Sequence, residues 1–257
     1  MPSREVSPDI RRPVDRNVRI WRYMDLPKYL YFVTYKSLFF SRIDKLDDPY
    51  EGSFPKVDKA KHLDWIEQFS KSEKAMPQEM VEKMKADDVK IRKNMQKDNF
   101  LNCWHMNEHE SMAMWRLYGE QNKSIAIQTT YEKLHNAVSE YVTLGIVEYL
   151  DYEKDTMFEG KQYGAPIFFF KRRAFEFENE LRAIMGRHKL GAIDPDQKYD
   201  DAEAGWDFKV DPSSFVERVV VSPRMPDWIY KLIMVLTLAA GFSFPVEKSS
   251  LDVSPMF

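Results

Sequence analysis

The stretch that most constrains this chain is Phe175-Glu176-Phe177-Glu178-Asn179-Glu180-Leu181-Arg182-Ala183-Ile184-Met185, which follows an all-aromatic run, Phe168-Phe169-Phe170, and a basic triplet, Lys171-Arg172-Arg173. Side chains on a strand alternate between its two faces. Read as a strand, the stretch puts Phe175, Phe177, Asn179, Leu181 and Ala183 on one face. Glu176, Glu178, Glu180, Arg182 and Ile184 fall on the other. Three carboxylates on one strand face repel one another, which a sheet built for stability alone would avoid. Two readings remain open. The face is the solvated side of an edge strand, where charge is common, or it is a carboxylate pair in a cleft with Arg182 beside it. In the second reading Arg182 lies close enough to keep at least one of the carboxyls ionised, and neutralising Glu180 should leave stability nearly unchanged.

The rest of the composition narrows the field. The chain has 257 residues, 44% of them hydrophobic and 14% aromatic, enough for one large domain or two small ones. Nine glycines argue against a glycine-rich phosphate loop, and none is present as a motif. A net charge of −3 sets up no field that draws the whole protein onto nucleic acid, so any such contact is a local patch. The one cysteine, Cys103, excludes an internal disulfide and a cysteine zinc cluster and fits a reducing compartment. The polar start carries no signal-peptide core, and the apolar run at 232–242 is too short to span a bilayer. These features predict a cytoplasmic protein with no membrane contact.

Along the chain, residues 1–16 read as a flexible tail and 17–257 as one α+β domain with a mixed or antiparallel sheet. Strands are expected at 20–24, 37–41, 100–105, 124–128, 144–149, 203–210, 216–222 and 246–251. Helices are expected at 29–35, 111–119, 131–140, 166–175 and 227–240, with Ser111 as an N-cap and Gly119 beyond the end of its helix. Residues 58–98 change character. They are charged and helix-prone, with apolar residues at helical spacing and Pro77 dividing them into two pieces. This insert reads as peripheral scaffold or as a partner-binding surface. His105 and His109 are four apart but sit where a strand leaves into a loop, which favours surface or capping roles over a metal pair. Cys103 reads as a small hydrophobe in an apolar strand.

Four pieces stand out together: Ile20-Trp21-Arg22-Tyr23; Leu38-Phe39-Phe40-Ser41 with Asp47-Asp48-Pro49-Tyr50-Glu51-Gly52; Ala113-Met114-Trp115-Arg116-Leu117-Tyr118-Gly119; and Phe177-Glu178-Asn179-Glu180-Leu181-Arg182. In this order and spacing the chain resembles a large bacterial family known only as a domain of unknown function, from about residue 18 to 252. It departs from that family at Leu181, where the family has tryptophan, at Gly119, where it has alanine, and in the helical insert. The family's layout looks like an ADP-ribosyltransferase fold. By that analogy Arg22 on the first strand takes the arginine role, Ser41 the second-strand role, and Glu180 or Glu178 the late glutamate role.

The resemblance implies an enzyme that cleaves NAD, its substrate, and transfers ADP-ribose to a macromolecular acceptor, protein or nucleic acid, plausibly as a phage-defence or toxin effector. Glu180, Glu178 and Arg22 would be catalytic. Arg22, Tyr23, Ser41, Trp115, Tyr118 and Arg182 would bind the dinucleotide, and no metal would be needed. The chemistry suits these residue types. A carboxylate stabilises the oxocarbenium character of the ribose, a second handles the acceptor's proton, an arginine takes the pyrophosphate, and aromatic rings stack on bases. Two other classes stay open. One is a non-catalytic partner-binding protein of antitoxin or phage-sensing type that uses the 58–98 insert. The other is a metal-dependent nuclease holding a hard cation on Asp47, Asp48, Glu51, Glu178 and Glu180.

Overall fold

The computed structural model describes residues 10–72, 77–119, 123–138, 140–157, 167–196, 199–200 and 202–252. In chain order the elements are β1 (Arg19–Asp25), α1 (Leu26–Tyr35), β2 (Ser37–Arg42), α2 (Lys56–Ser72), α3 (Gln78–Lys97), β3 (Asn99–Met106), α4 (Met112–Leu117), β4 (Ser124–Thr130), α5 (Tyr131–Ala137), β5 (Thr143–Ile146), β6 (Glu148–Leu150), β7 (Phe170–Arg172), β8 (Glu180–Gly186), α6 (Leu190–Ile193), β9 (Gly205–Lys209), α7 (Pro212–Phe215), β10 (Arg218–Val221), α8 (Asp227–Ala239) and β11 (Val246–Lys248). The fold is α+β. Nine strands form one sheet, antiparallel except for the β10–β11 pair, and β6 and β7 form a short parallel ribbon beside it. No described helix is long and apolar enough to cross a membrane.

Local chemistry sets the boundaries. Asp25 ends β1 and caps α1, its carboxylate accepting from the Lys28 N–H at 2.8 Å with Pro27 in the first turn. Ser111 caps α4 in the same way, as expected. The insert forms two helices, α2 and α3, with Pro77 at the N-cap of the second. It is tied to the sheet side by buried Asp58, which accepts from Thr156 and from the Met157 N–H, and by Gln96, which donates to the Glu51 carbonyl. Of the tail expected at 1–16, residues 1–9 lie outside the described residues. Residues 10–16 are held: Ile10 packs on a buried cluster, Arg11 accepts from the Ile146 N–H, and the Arg16 carbonyl accepts from Glu132.

The sheet is split along β3. One edge of β3 is fully occupied by β8, from Asn99 opposite Gly186 to His105 opposite Glu180. A strand has only two edges, so β1 and β2 share the other. β1 pairs only through Ile20–Met106 and Trp21–His105, and β2 only through Ser41–Leu101 and Arg42–Phe100. Between these contacts the edge of β3 is open. Side chains bond the backbone on both sides of the gap: Arg22 donates to the Cys103 carbonyl of β3 at 2.9 Å, and buried Asn102 donates to the Phe39 carbonyl of β2 at 2.9 Å.

The register divides the sheet's two faces. Ile20, Met24, Phe40, Phe100, Trp104, Leu181 and Ala183 point to the larger core, where α1, α5, α7 and α8 pack. Trp21, Tyr23, Leu101, Cys103, His105, Glu180, Arg182 and Ile184 point to the other face. That face is covered at one end by the Phe168–Phe170 cluster and at the other by Met114 and Trp115 of α4. A cleft remains between the two covers.

Several expected elements differ. The single strand expected from Phe175 to Ile184 is a 3-10 turn over Arg173–Glu178 followed by β8, because Asn179 adopts a left-handed conformation (φ 39°) that asparagine tolerates better than most residues. The helix expected at 166–175 is instead a 3-10 turn, Ile167–Phe169, and then β7, because Phe170–Arg172 find a strand partner in β6. The strand expected at 144–149 is two strands, β5 and β6, on different partners.

Asn102 braces the split from the larger-core side, since its Oδ1 also accepts from Trp104 Nε1 at 2.7 Å. Asn102→Leu leaves the buried indole N–H of Trp104 and the Phe39 carbonyl without their partner. A loss of about 2–4 kcal/mol is expected from two such deletions, read by chemical denaturation; an unchanged midpoint would show that the split needs no brace.

Candidate active site

The cleft has a volume of about 920 Å³ and runs from the exposed face of β8 and β3, through the gap between β1 and β2, to α1. Its walls include Arg22, Tyr23, Ser41, Tyr118, Glu178, Glu180 and Arg182, so seven of the eight residues singled out in the sequence line one cavity. Arg22 arrives by an unexpected route. Strand alternation puts it on the larger-core face, opposite Trp21 and Tyr23, and it reaches the cleft only because β1 leaves β3 after Trp21. Trp115, expected to stack on a ligand, does not line the cleft. It is buried, its ring edge meets Tyr23 with centroids 4.8 Å apart, and its Nε1 donates to Glu110 at 3.1 Å. Core packing claimed the ring.

At the end of the cleft against β8 lies a buried ionic cluster. Arg182 is 1% exposed, and all five of its guanidinium N–H groups are used. Nε and Nη2 donate to the two oxygens of Glu180 at 2.8 and 3.1 Å. Nη1 and Nη2 donate to the two oxygens of Glu51 at 2.8 and 2.7 Å, and Nη1 also reaches the Phe168 carbonyl at 2.6 Å. Lys171 Nζ donates to Glu178 at 2.5 Å and to Glu180 at 3.4 Å, with Glu51 at 3.6 Å. The Tyr118 hydroxyl donates to the remaining oxygen of Glu178 at 2.6 Å.

The two glutamates therefore share a cation without sharing an environment. Burial alone would push Glu180 up, but Arg182 and Lys171 outweigh it and hold the carboxyl down at about 2. Burial raises Glu178, which Lys171 and Tyr118 only partly oppose. Burial would lower Lys171, yet Glu180 and Glu51 hold it above its ordinary value. Burial and Glu178 push the Tyr118 phenol up. Cys103, opposite Arg182 in the register, is pushed well up by burial and by Glu180, to which its thiol donates, so it is no thiolate nucleophile.

Arg22 is the contrast. Its Nη1 donates to a backbone carbonyl, and no carboxylate among the described residues pairs with it. Burial lowers its pKa, but an arginine starts high enough to remain charged. Tyr23 uses its hydroxyl to accept from the Ser111 N–H at 2.9 Å, which ties α4 to the sheet.

Sequence reasoning missed three features. Lys171 was visible as part of the basic triplet, but a helix was expected there and the β7 pairing turns Lys171 inward. Glu51 was weighed only as a ligand for a hard cation. His105 was expected in a surface or capping role, yet it is buried and lines the cleft. As for that cation, Glu51 and Glu180 are bound by Arg182, Glu178 by Lys171, and Asp48 by Arg172 at 2.7 Å. Among the described residues no group of three or more His, Cys, Asp or Glu is arranged to hold a metal ion.

No protein-family model matches the chain, and no curated protein matches it. The family resemblance thus rests on the four sequence pieces that carry it. Among solved structures, DarT of Thermus sp. 2.9 in complex with carba-NAD+ aligns over 95% of this chain and 100% of its own, at 7% sequence identity and a TM-score of 0.37.

The geometry reverses the expectation that Glu180 is dispensable for stability. A carboxyl lowered from 4.5 to about 2 on folding stabilises the fold above pH 4.5, by roughly 3 kcal/mol, and that contribution is lost as pH falls toward 2. Glu178, raised on folding, acts with the opposite sign: it favours the fold at low pH and loses that effect as pH rises through its folded value. Glu180→Gln should therefore destabilise by about 2–4 kcal/mol at pH 7, because it leaves two buried cations short of a partner. The gap to wild type should narrow below pH 4.5. Glu178→Gln should cost less. Urea unfolding of the three proteins between pH 7 and pH 3 measures both; a Glu180→Gln protein as stable as wild type at pH 7 would mean the cluster is not formed as described.

Proposed function

We propose that the cleft binds NAD and that the chain cleaves the nicotinamide–ribose bond and passes ADP-ribose to a macromolecular acceptor. The observation that carries this reading is Arg22, a half-buried cation with no carboxylate partner among the described residues, lining the same cavity as a carboxylate held ionised. A cavity of about 920 Å³ is at the upper end of the size range of small-molecule sites, roughly 300–1,000 Å³, and accommodates a dinucleotide. An unpaired guanidinium offers the bidentate donors that a pyrophosphate takes, in a chain without a glycine-rich phosphate loop.

The roles follow from the environments. As the C1′–N bond breaks, the bonding pair leaves with nicotinamide, which departs neutral, and positive charge develops on the ribose. Glu180, already anionic and fixed by Arg182, opposes that charge without reorganising. The acceptor nucleophile then bonds to C1′ and releases a proton. Glu178, raised by burial, is the better proton acceptor of the two, and pairs of carboxyls pulled apart in this way mark complementary roles. Lys171 and Tyr118 fix Glu178 in place. Ser41 and Tyr23 line the intervening wall. An effector role in phage defence, or as a toxin acting in the cytoplasm, belongs to the same proposal and rests on the family resemblance.

A second reading, partner binding through the insert, has one observation in its favour. His62, Trp65 and Phe69 stack in a row along α2, with Trp65 more than half exposed.

Nicotinamide release and NAD binding separate the two. Arg22→Gln should weaken NAD binding at least tenfold, about 1.4 kcal/mol or more for a lost charge-assisted pair, and change kcat less. Glu180→Gln should lower kcat per folded molecule by about 100-fold or more. Glu178→Gln should impair transfer to the acceptor more than NAD cleavage. A wild-type protein that neither binds NAD nor releases nicotinamide, yet is captured by a partner only when α2 is intact, would replace this reading with the second.

A further inference from the structure

His105 stands on β3 directly opposite Glu180 on β8 and Trp21 on β1. It is 5% exposed and is one of the residues lining the cleft. Nδ1 lies 2.5 Å from the Glu178 carbonyl. A carbonyl only accepts, so Nδ1 carries the hydrogen, and this bond fixes both the ring's orientation and its tautomer. Nε2 is then a bare lone pair, and it has no hydrogen-bond partner among the described residues. The side-chain atoms in the same condition, on His62, Tyr131, Tyr152 and Trp206, belong to residues that do not line this cleft.

A buried acceptor without a donor is disfavoured by the full loss of its hydration. The chain tolerates it at one place in the cleft, next to the carboxylate assigned to the ribose. We propose that His105 is a ligand-binding residue of the cleft, with Nε2 the acceptor for a hydroxyl of the bound ligand. The proposal rests on the reading of the cleft as an NAD site, in which the hydroxyl belongs to the ribose whose C1′ faces Glu180.

Burial lowers the His105 pKa, opposed only in part by its bond to the Glu178 carbonyl, so the ring is neutral at pH 7 and Nε2 is available as an acceptor. The same ring holds Glu178 through its backbone. His105 therefore connects the bound sugar to both carboxyls, one across the strand pair and one through the turn that precedes Asn179.

The test uses a carbocyclic NAD analogue, which keeps the sugar hydroxyls but does not release nicotinamide. Calorimetry should give a dissociation constant at least about tenfold weaker for His105→Phe than for wild type, the size expected for one lost hydrogen bond to a buried acceptor. For NAD analogues lacking one or the other hydroxyl of the nicotinamide ribose, the difference between the two proteins should disappear with one of them. Because His105→Phe also removes the bond to Glu178 and could unfold the turn, a second measurement uses the unaltered protein. The 15N resonance of His105 Nε2 should move on saturation with the carbocyclic analogue, while Nδ1 keeps its proton. Wild-type binding with an unmoved Nε2 resonance, or equal loss for every analogue in His105→Phe, overturns the role of His105 and leaves the NAD reading standing. A wild-type protein that binds none of these analogues overturns both.

Discussion

Arg182 is the constraint on which the rest of this structure depends. Its five donors tie a distant loop to the strand's own neighbourhood: Glu51 in the loop after β2, the Phe168 carbonyl in the cluster covering one end of the sheet, and Glu180 at the start of β8. Taking so many charges out of water is expensive. Buried ion pairs of this kind are often no more stabilising than well-packed apolar residues of the same volume. Stability alone therefore does not account for the cluster. What it achieves is a carboxylate held ionised and immobile at the end of a cleft. Removing any one partner leaves charge stranded in a low-dielectric site, so the members must be kept or lost together.

The split in the sheet is the second requirement. A continuous sheet would pair β3 along both edges and leave no route between the two faces. Here β1 and β2 each give β3 a short contact and then diverge. The open backbone that results is satisfied by Arg22 on one side and Asn102 on the other. The residue that heals the open edge is thus also a cation of the cleft with no carboxylate partner among the described residues. That arrangement places a charge from the larger-core face into a cavity that passes through the split and also carries Glu180 and Arg182 of the opposite face.

Much of the fold was legible because its elements follow strong local rules. Alternation marked β8 from Glu180 onward, the serine cap marked α4, and Pro77 marked the break in the insert. The failures have a common cause, in tertiary partners that override local pattern. Glu178 sits in a turn because Asn179 takes a left-handed conformation and because His105 captures the Glu178 carbonyl. Lys171 lies on a strand because β6 is there to pair with it. Trp115 has the composition of a stacking residue, but Tyr23, Met114 and Val220 enclose it first. Glu178, Glu180 and Arg182 were singled out because charge crowded on one strand face is unusual, whereas Arg22, Tyr23, Ser41, Trp115 and Tyr118 came from the family resemblance. Arg182 was expected to keep a carboxyl ionised, and it does so for Glu180; Lys171, which binds both carboxyls, was not expected there, because only the fold turns it inward.

The distribution of charge along the cleft carries the functional argument one step further. At the β8 end, Glu51, Glu178 and Glu180 face Lys171 and Arg182, so with all three carboxyls ionised the cluster retains one excess negative charge. Toward the split, Arg22 supplies a positive charge with no carboxylate partner among the described residues. Opposite charges at two places in one low-dielectric cavity select ligands that carry the complementary pattern, and they disfavour ligands of uniform charge. NAD has that pattern, with a cationic pyridinium at one end and an anionic pyrophosphate near its middle. The excess negative charge does more than bind. It grows in value as the pyridinium's charge passes to the ribose, because the developing cation then lies against Glu180 itself. A cluster that were neutral overall would bind the ground state less tightly, and it would also lose the differential interaction that lowers a barrier. On the proposed reading, the imbalance of one charge among five buried groups is what the energetic burden of assembling them maintains.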